Sequence, residues 1–206
     1  MKSLKKRFFI TGTDTGVGKT LVACGLLVKA RNLGYSTAAV KPVAAGCQVT
    51  AEGLRNDDAL QLLEQCSKPL LYEQVNPLAL ELPLAPHIAA AQVGLTLDTD
   101  HLASYCREVL LQSADLTLVE GAGGWRVPLN EQETLAHLAV LLELPVILVV
   151  GMRLGCINHA LLTAEAIAQD GLQLAGWVAN GMAGDMPAHD DNIAALTSLV
   201  HAPLLG

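Results

Sequence analysis

The chain has no Cys-x-x-Cys pair, and its 5 cysteines, Cys24, Cys47, Cys66, Cys106 and Cys156, are an odd number. A disulfide framework and a thiolate zinc site are both excluded as organising features, and free buried thiols are expected. The 6 histidines show no His-x-x-x-His spacing, and no serine stands in a Gly-x-Ser-x-Gly turn, so neither a zinc-hydrolase helix nor a nucleophile elbow is present. Positive charge is scarce too: a formal net charge of −7 leaves no basic field for nucleic acid or an anionic membrane, and neither is expected as a partner. No apolar run is long enough to span a bilayer, and the longest, residues 145–150, has the length of a buried strand. Lys2, Lys5, Lys6 and Arg7 resemble the charged start of a signal peptide, but a Gly-rich loop begins before an apolar segment could follow. A cytoplasmic location is therefore expected.

Aromatic residues make up only 3% of the chain while apolar residues reach 51%, so the mean hydropathy of +0.39 is assigned to an aliphatic core. With 206 residues the chain suits one domain, residues 1–206. Strand-like runs at residues 7–11, 37–41, 115–120, 145–151 and 174–180 alternate with a mostly apolar helix at 21–31 and helix-length amphipathic stretches at 57–65, 100–111, 134–142, 158–169 and 191–200. This alternation predicts an α/β fold with a mainly parallel sheet and helices on both faces. Residues 76–94, with Pro77, Pro83 and Pro86, read as the least regular segment.

The strongest motif joins the first strand to the first helix: Gly12-Thr13-Asp14-Thr15-Gly16-Val17-Gly18-Lys19-Thr20. Small residues let backbone N–H groups turn inward on polyphosphate oxygens, a lysine neutralises them and a hydroxyl ligates Mg²⁺. Lys19 and Thr20 fill the last two roles. The usual spacing places glycine at the position of Thr13, so with Gly12 one earlier the loop is a longer variant. A P-loop NTPase-like domain that binds ATP or a related nucleotide is the expectation.

In open parallel sheets ligands gather outside the carboxyl ends of the strands, which singles out Lys41, Glu120 and Asn180. Glu120 closes an aliphatic run and opens Gly121-Ala122-Gly123-Gly124; an acid there suits Mg²⁺ beside the Thr20 hydroxyl. Asp58 is either a further ligand or, with Asp57, an acidic start to a helix. Lys41 is either a second cation for phosphoryl oxygens or a lysine reaching solvent from a strand end. Trp125 and Trp177 read as packing residues.

The whole ordered set of motifs, adding Lys41-Pro42-Val43-Ala44, Glu52-Gly53-Leu54-Arg55-Asn56, Val75-Asn76-Pro77, Glu120-Gly121-Ala122-Gly123-Gly124-Trp125, Gly155-Cys156-Ile157-Asn158-His159-Ala160 and Gly176-Trp177-Val178-Ala179-Asn180, resembles the dethiobiotin synthetase family from Phe8 to Gly206. The resemblance implies an ATP- and Mg²⁺-dependent ligase that takes up CO₂ on one amine of 7,8-diaminononanoate, phosphorylates the carbamate and closes a cyclic urea. It further implies Lys41, Lys19 and Thr15 as catalytic groups, and Thr20, Asp58 and Glu120 as the metal set. Gly16, Val17, Gly18, Leu21, Gly121, Ala122, Gly123 and Asn180 would bind the nucleotide, Asn180 at adenine. The family is a homodimer with substrate at the subunit interface, so Gly155, Cys156 and Asn158 would hold the substrate's carboxylate tail, with Ala45 nearby. Gly16 stands where relatives often carry a bulkier acidic residue, and Ala45 where they can carry serine; relatives also continue past the position of Gly206 with a segment that contacts the base. Two rival readings remain at this point. One is a partitioning ATPase, whose extra lysine would stand near Asp14, and the other is a nucleotide-binding paralogue without ligase activity.

Overall fold

The aliphatic runs expected as strands line up in one sheet because each is buried on both faces. In the computed structural model, which describes residues 5–181 and 186–206, the chain runs β1 (Lys6–Gly12), α1 (Lys19–Asn32), β2 (Thr37–Val40), β3 (Val43–Ala45), β4 (Gln48–Thr50), β5 (Gly53–Arg55) and α2 (Asp57–Gln65). It continues through α3 (Tyr72–Val75), β6 (Leu78–Leu80), α4 (Pro86–Gln92), α5 (Thr99–Leu110), β7 (Leu116–Glu120), α6 (Leu135–Leu141), β8 (Val146–Met152), α7 (Cys156–Gln169), β9 (Leu174–Gly181) and α8 (His189–Leu199). Five strands lie side by side in the order β2-β7-β1-β8-β9, every pair parallel. β1 is central. Connections after it build first one flank and then the other, and this switch leaves a crevice at the carboxyl ends of β1 and its neighbours.

Strand alternation divides the core. Phe9 and Val119 face a cluster with Leu102 and Cys106 of α5 and Leu135 and Leu138 of α6. Their neighbours Ile10 and Leu118 face the opposite side, against Ala23 and Leu27 of α1 and Ala59 and Leu62 of α2. On the β8–β9 flank, Leu148 and Val150 pack with Trp177 of β9, Ala160 of α7 and Leu196 of α8. Each fully buried aliphatic side chain contributes roughly 1.5–3 kcal/mol, so the parallel sheet is fixed by its two apolar faces. The edge of β9 is covered: Trp177 N donates to Pro203 O at 3.0 Å, Leu205 N to Trp177 O at 2.8 Å and Ala179 N to Gly206 O at 2.8 Å, which closes ladder groups that would otherwise be open.

The five main strands match the expected runs to within a residue or two; β2 stops at Val40, so Lys41 is the first residue beyond it. Residues 76–94 carry more order than their prolines suggest. β6 pairs in parallel with β3, and α4 begins with Pro86 inside its first turn, where a missing N–H costs nothing. A three-residue strand and a seven-residue helix are too short to register as periodicity. All five cysteines are free. Among the described residues no helix is long and apolar enough to cross a membrane.

Candidate functional site

The loop after β1 wraps back on itself. Gly18 caps α1 at φ +87°, and a Cβ placed there would lie 2.1 Å from Asn180 Nδ2, so only glycine fits. Asn180, near the end of β9, donates to Val17 O at 2.8 Å and so ties the loop to the far flank of the sheet. Lys19 Nζ donates to Asp14 O at 3.1 Å, and Thr15 N donates to the Asp14 carboxylate at 2.7 Å. Gly16, at φ +72°, borders open space: a Cβ there would meet nothing within 4 Å. Leu21 is exposed on the first turn of α1.

Three charged strand-end and helix-start groups meet beside this loop. Lys41 Nζ donates to Glu120 Oε1 at 2.6 Å and to Asp58 Oδ2 at 2.8 Å, and Thr20 Oγ1 donates to the same Glu120 oxygen at 2.7 Å. Glu120 is fully buried and Lys41 nearly so. Burial works against the Lys41 charge, yet Glu120 and Asp58 hold its pKa above the ordinary lysine value. Burial also pushes the Asp58 carboxyl up, and the Lys41 ammonium overrides it and keeps that pKa low. Lys19 lacks a bonded carboxylate among the described residues: burial, helped by repulsion from Lys41, pulls it down to about 8. The site is therefore short of negative charge at Lys19, where an anionic ligand would relieve the burial cost. The two roles left open for Asp58 and Lys41 are not exclusive. Asp58 sits in the first turn of α2 behind its Asn56 cap, whose side chain accepts from Ala59 N at 3.2 Å, and it also reaches Lys41.

The donor set suits Mg²⁺. Glu120 Oε2 is buried and accepts no hydrogen bond from the described residues, leaving one carboxylate oxygen without a partner next to the Thr20 hydroxyl and the Asp58 carboxylate. A hard divalent cation that keeps several waters and takes the rest of its shell from substrate phosphate needs only one or two carboxylates. Among the described residues no trio of His, Cys, Asp or Glu gathers to hold a metal.

A cleft of about 710 Å³ opens over these groups. Thr15, Gly16, Lys19, Lys41 and Asp58 line it together with Ala44 and Ala45, and Ala122, Gly123, Arg126 and Val127 supply one stretch of its wall. Gly121 joins this wall to β1 through its N–H, which donates to Ile10 O at 3.0 Å. Gly155, Cys156 and Asn158 are not part of the wall. They stand at the start of α7, with Gly155 at φ +95° as its cap and Cys156 buried beneath it, next to Leu154, whose surface is 97% exposed.

Several residues at the cleft escape sequence reasoning. Arg153, at the exit of β8, pairs with the Asp14 carboxylate at the loop's mouth; nothing in the spacing of residues 14 and 153 signals it. Arg126 had a signal, a cation just after a Gly-rich strand-end turn. Trp125 does more than pack, since its Nε1 donates to Asp170 at 2.7 Å, whereas Trp177 is fully buried.

A family model described as an AAA domain matches residues 6–206. The ATP-dependent dethiobiotin synthetase BioD of Cellvibrio japonicus (strain Ueda107) is 65% identical over 202 residues, covering 98% of this chain and 88% of that protein. Its counterpart in Pseudomonas aeruginosa (strain UCBPP-PA14) is 61% identical over 199 residues, covering 97% and 87%. BioD 1 of Escherichia coli O157:H7 is 51% identical over 203 residues, covering 98% and 90%. Among solved structures, the 54 kDa signal recognition particle protein of Aeropyrum pernix K1 in complex with GDP aligns with a TM-score of 0.57 at 16% identity, covering 99% of this chain and 41% of that one. A ParA family ATPase from Chlorobium tepidum TLS aligns with a TM-score of 0.57 at 12% identity, covering 98% and 83%. At these identities the structural likeness shows the fold alone: a P-loop NTPase-like sheet.

Proposed function

The chain belongs to the ATP-dependent dethiobiotin synthetase family, and from that premise we propose how the cleft serves the reaction. The protein is an ATP-dependent ligase of biotin biosynthesis. One amine of 7,8-diaminononanoate adds to CO₂ and loses a proton, giving a carbamate. A carbamate oxygen takes the terminal phosphoryl group of ATP, releasing ADP. The second amine then attacks the carbamoyl carbon, and phosphate leaves as the cyclic urea closes.

The observation that carries the assignment of roles is Lys41, which lines the cleft with Lys19 and Asp58 and reaches both Asp58 and the fully buried Glu120. Carbamate and triphosphate are both anions, and bringing them within bonding distance requires positive charge fixed in a water-poor site. Lys19 is the cation for the phosphates. Lys41, held charged by two carboxylates, steadies carbamate and transferring phosphoryl group, and Thr15 adds a hydroxyl at the mouth of the loop. Thr20, Asp58 and Glu120 would hold Mg²⁺, which when bound supplies further neutralisation of phosphate oxygens. Gly16, Val17, Gly18 and Leu21 with residues 121–123 frame the nucleotide, and Asn180, which fixes the loop through Val17 O, would read the adenine base.

Gly155, Cys156 and Asn158 lie off the wall of their own cleft, at a helix start beside the exposed Leu154. In a homodimer they would reach the substrate of the second copy, where the first amides of α7 suit a carboxylate tail. The free cysteines and the need for ATP favour the cytoplasm. The test is ADP release by the purified protein with ATP, Mg²⁺ and bicarbonate, with and without 7,8-diaminononanoate, and the product's mass. Stimulation by the diamine with the mass of dethiobiotin is expected; hydrolysis indifferent to the diamine would overturn the reading in favour of a nucleotide switch.

A further inference from the structure

Three of the four residues that follow Glu120 are glycines, Gly121, Gly123 and Gly124. Such a turn has almost no side chains with which to hold its own place, so beyond the bond from Gly121 N to Ile10 O its position depends on the first side chains after it. Those are Trp125 and Arg126, and both are fastened to one distant carboxylate. Trp125 Nε1 donates to Asp170 Oδ2 at 2.7 Å, and Arg126 Nη2 donates to Asp170 Oδ1 at 2.9 Å. Arg126 Nη1 lies 2.8 Å from Asp170 Oδ2, so the pairing is two-pronged.

Asp170 stands at the carboxyl end of α7. The negative pole of a helix disfavours an acid there, and no α7 residue in the last turn is basic, so its compensation comes from Arg126 and Trp125 on the other element. Contacts continue from this anchor to the chemistry. The Trp125 ring meets Phe9 edge-on, with centroids 6.0 Å apart at 87°. Phe9 in turn lies against Gly121, where a Cβ would approach its ring to 3.1 Å. At Gly123 a Cβ would come within 3.4 Å of Thr15 Oγ1, so a small shift of this segment changes the gap between the wall and the phosphate loop.

We infer that Asp170 is a positioning residue: through Trp125 and Arg126 it holds residues 121–128 as the fixed wall of the cleft beside Lys41 and Thr15. The wall lines the same cleft as Ala44 and Ala45, and the carbon chain of the diamine lies against both. That last assignment rests on the ligase reading above. Arg126 has a second part here. Its side chain is half-exposed, and pairing with Asp170 offsets a charge that lines the cleft.

The experiment compares Asp170→Ala and Asp170→Asn in the full chain. Asparagine can still accept from Trp125 while losing the ion pair with Arg126; alanine loses both. Amide exchange over residues 121–128 should quicken in Asp170→Ala and recover in part in Asp170→Asn, with α1 and β8 unchanged. The KM for 7,8-diaminononanoate should rise roughly tenfold in the alanine variant, as expected when a contact wall is misplaced, with a smaller rise in the KM for ATP, which residues 121–123 frame only in part, and asparagine intermediate. Unchanged exchange over 121–128 would overturn the clamp, as would equal losses in both KM values that track melting temperature. Should the wild type show no diamine-dependent turnover, the ligase reading fails by itself; the exchange data then decide the clamp alone.

Discussion

Two of the loops at the carboxyl edge of the sheet, those after β1 and β8, are built to opposite plans. The one after β1 is finished within the chain: Lys19, Thr20, Lys41, Asp58 and Glu120 converge on it from separate elements, and Lys41, Asp58, Thr20 and Glu120 already satisfy one another. The one after β8 is open, with Leu154 almost wholly exposed and nothing within 4 Å of a Cβ at Gly155. Arg153, bound to Asp14, ties the second loop to the first. Preorganised charge is what phosphoryl transfer demands before any ligand arrives. A carboxylate tail can instead be met by a surface that is completed on assembly.

The sharpest way to break this contrast is Lys41→Ala, which should lower ligase turnover by roughly a hundred- to a thousandfold. Glu120 would be left fully buried without its cation, so the variant should also lose about 3–5 kcal/mol of stability in denaturant titration. Turnover within twofold of wild type would mean that the finished loop is structural only. Next in size is Gly18→Ala. A left-handed backbone and an overlap with Asn180 should cost about 1–3 kcal/mol of stability and weaken ATP binding by calorimetry, because the loop must move off Asn180 to fit the methyl group. Equal ATP affinity would show that the loop's tie to β9 is dispensable.

Asn158→Ala probes the open loop. It should raise the KM for 7,8-diaminononanoate by roughly tenfold, the loss of about one charge-assisted hydrogen bond, while ATP binding to the isolated chain stays as it was. Loss of ATP affinity would place Asn158 with the other loop and dissolve the comparison. The smallest effect is expected at the tie, with Asp14→Asn. The Thr15 amide, and then Arg153, hold the Asp14 carboxyl below its ordinary value of 3.8. With the folded pKa depressed, its contribution is complete above the unfolded value and disappears as pH falls through the folded one. Wild type should exceed Asp14→Asn by under about 1 kcal/mol near neutrality, the gap closing in acid unfolding curves below pH about 3.8. A gap that widens in acid would reverse the sign and exclude the ion pair as its cause.

The sheet was legible because each of its strands is a short aliphatic run with turn residues at both ends, and the run at 145–151 reappears as β8 with one residue's displacement. Residues 76–94 were not, since β6 exists only through its pairing with β3, more than thirty residues away. The phosphate loop was legible for the same local reason as the strands: Gly-Lys-Thr after a strand and before a helix is contiguous. Asp58 and Lys41 each kept two readings until their partners came into view, because Lys41 meets Glu120 across 79 positions and Thr20 meets it across 100.

The amino-acid order therefore determined the alternation of strands and helices, the phosphate loop and, through a resemblance spread over the whole chain, the family. Those signals are local or additive along the chain. Tertiary structure alone decided that Lys41 is shared by Asp58 and Glu120, that Asn180 braces Val17 and that Asp170 fastens Trp125 and Arg126. Each of these is a short contact between residues far apart in sequence. Its existence depends on strand order and register, and no spacing rule carries that information.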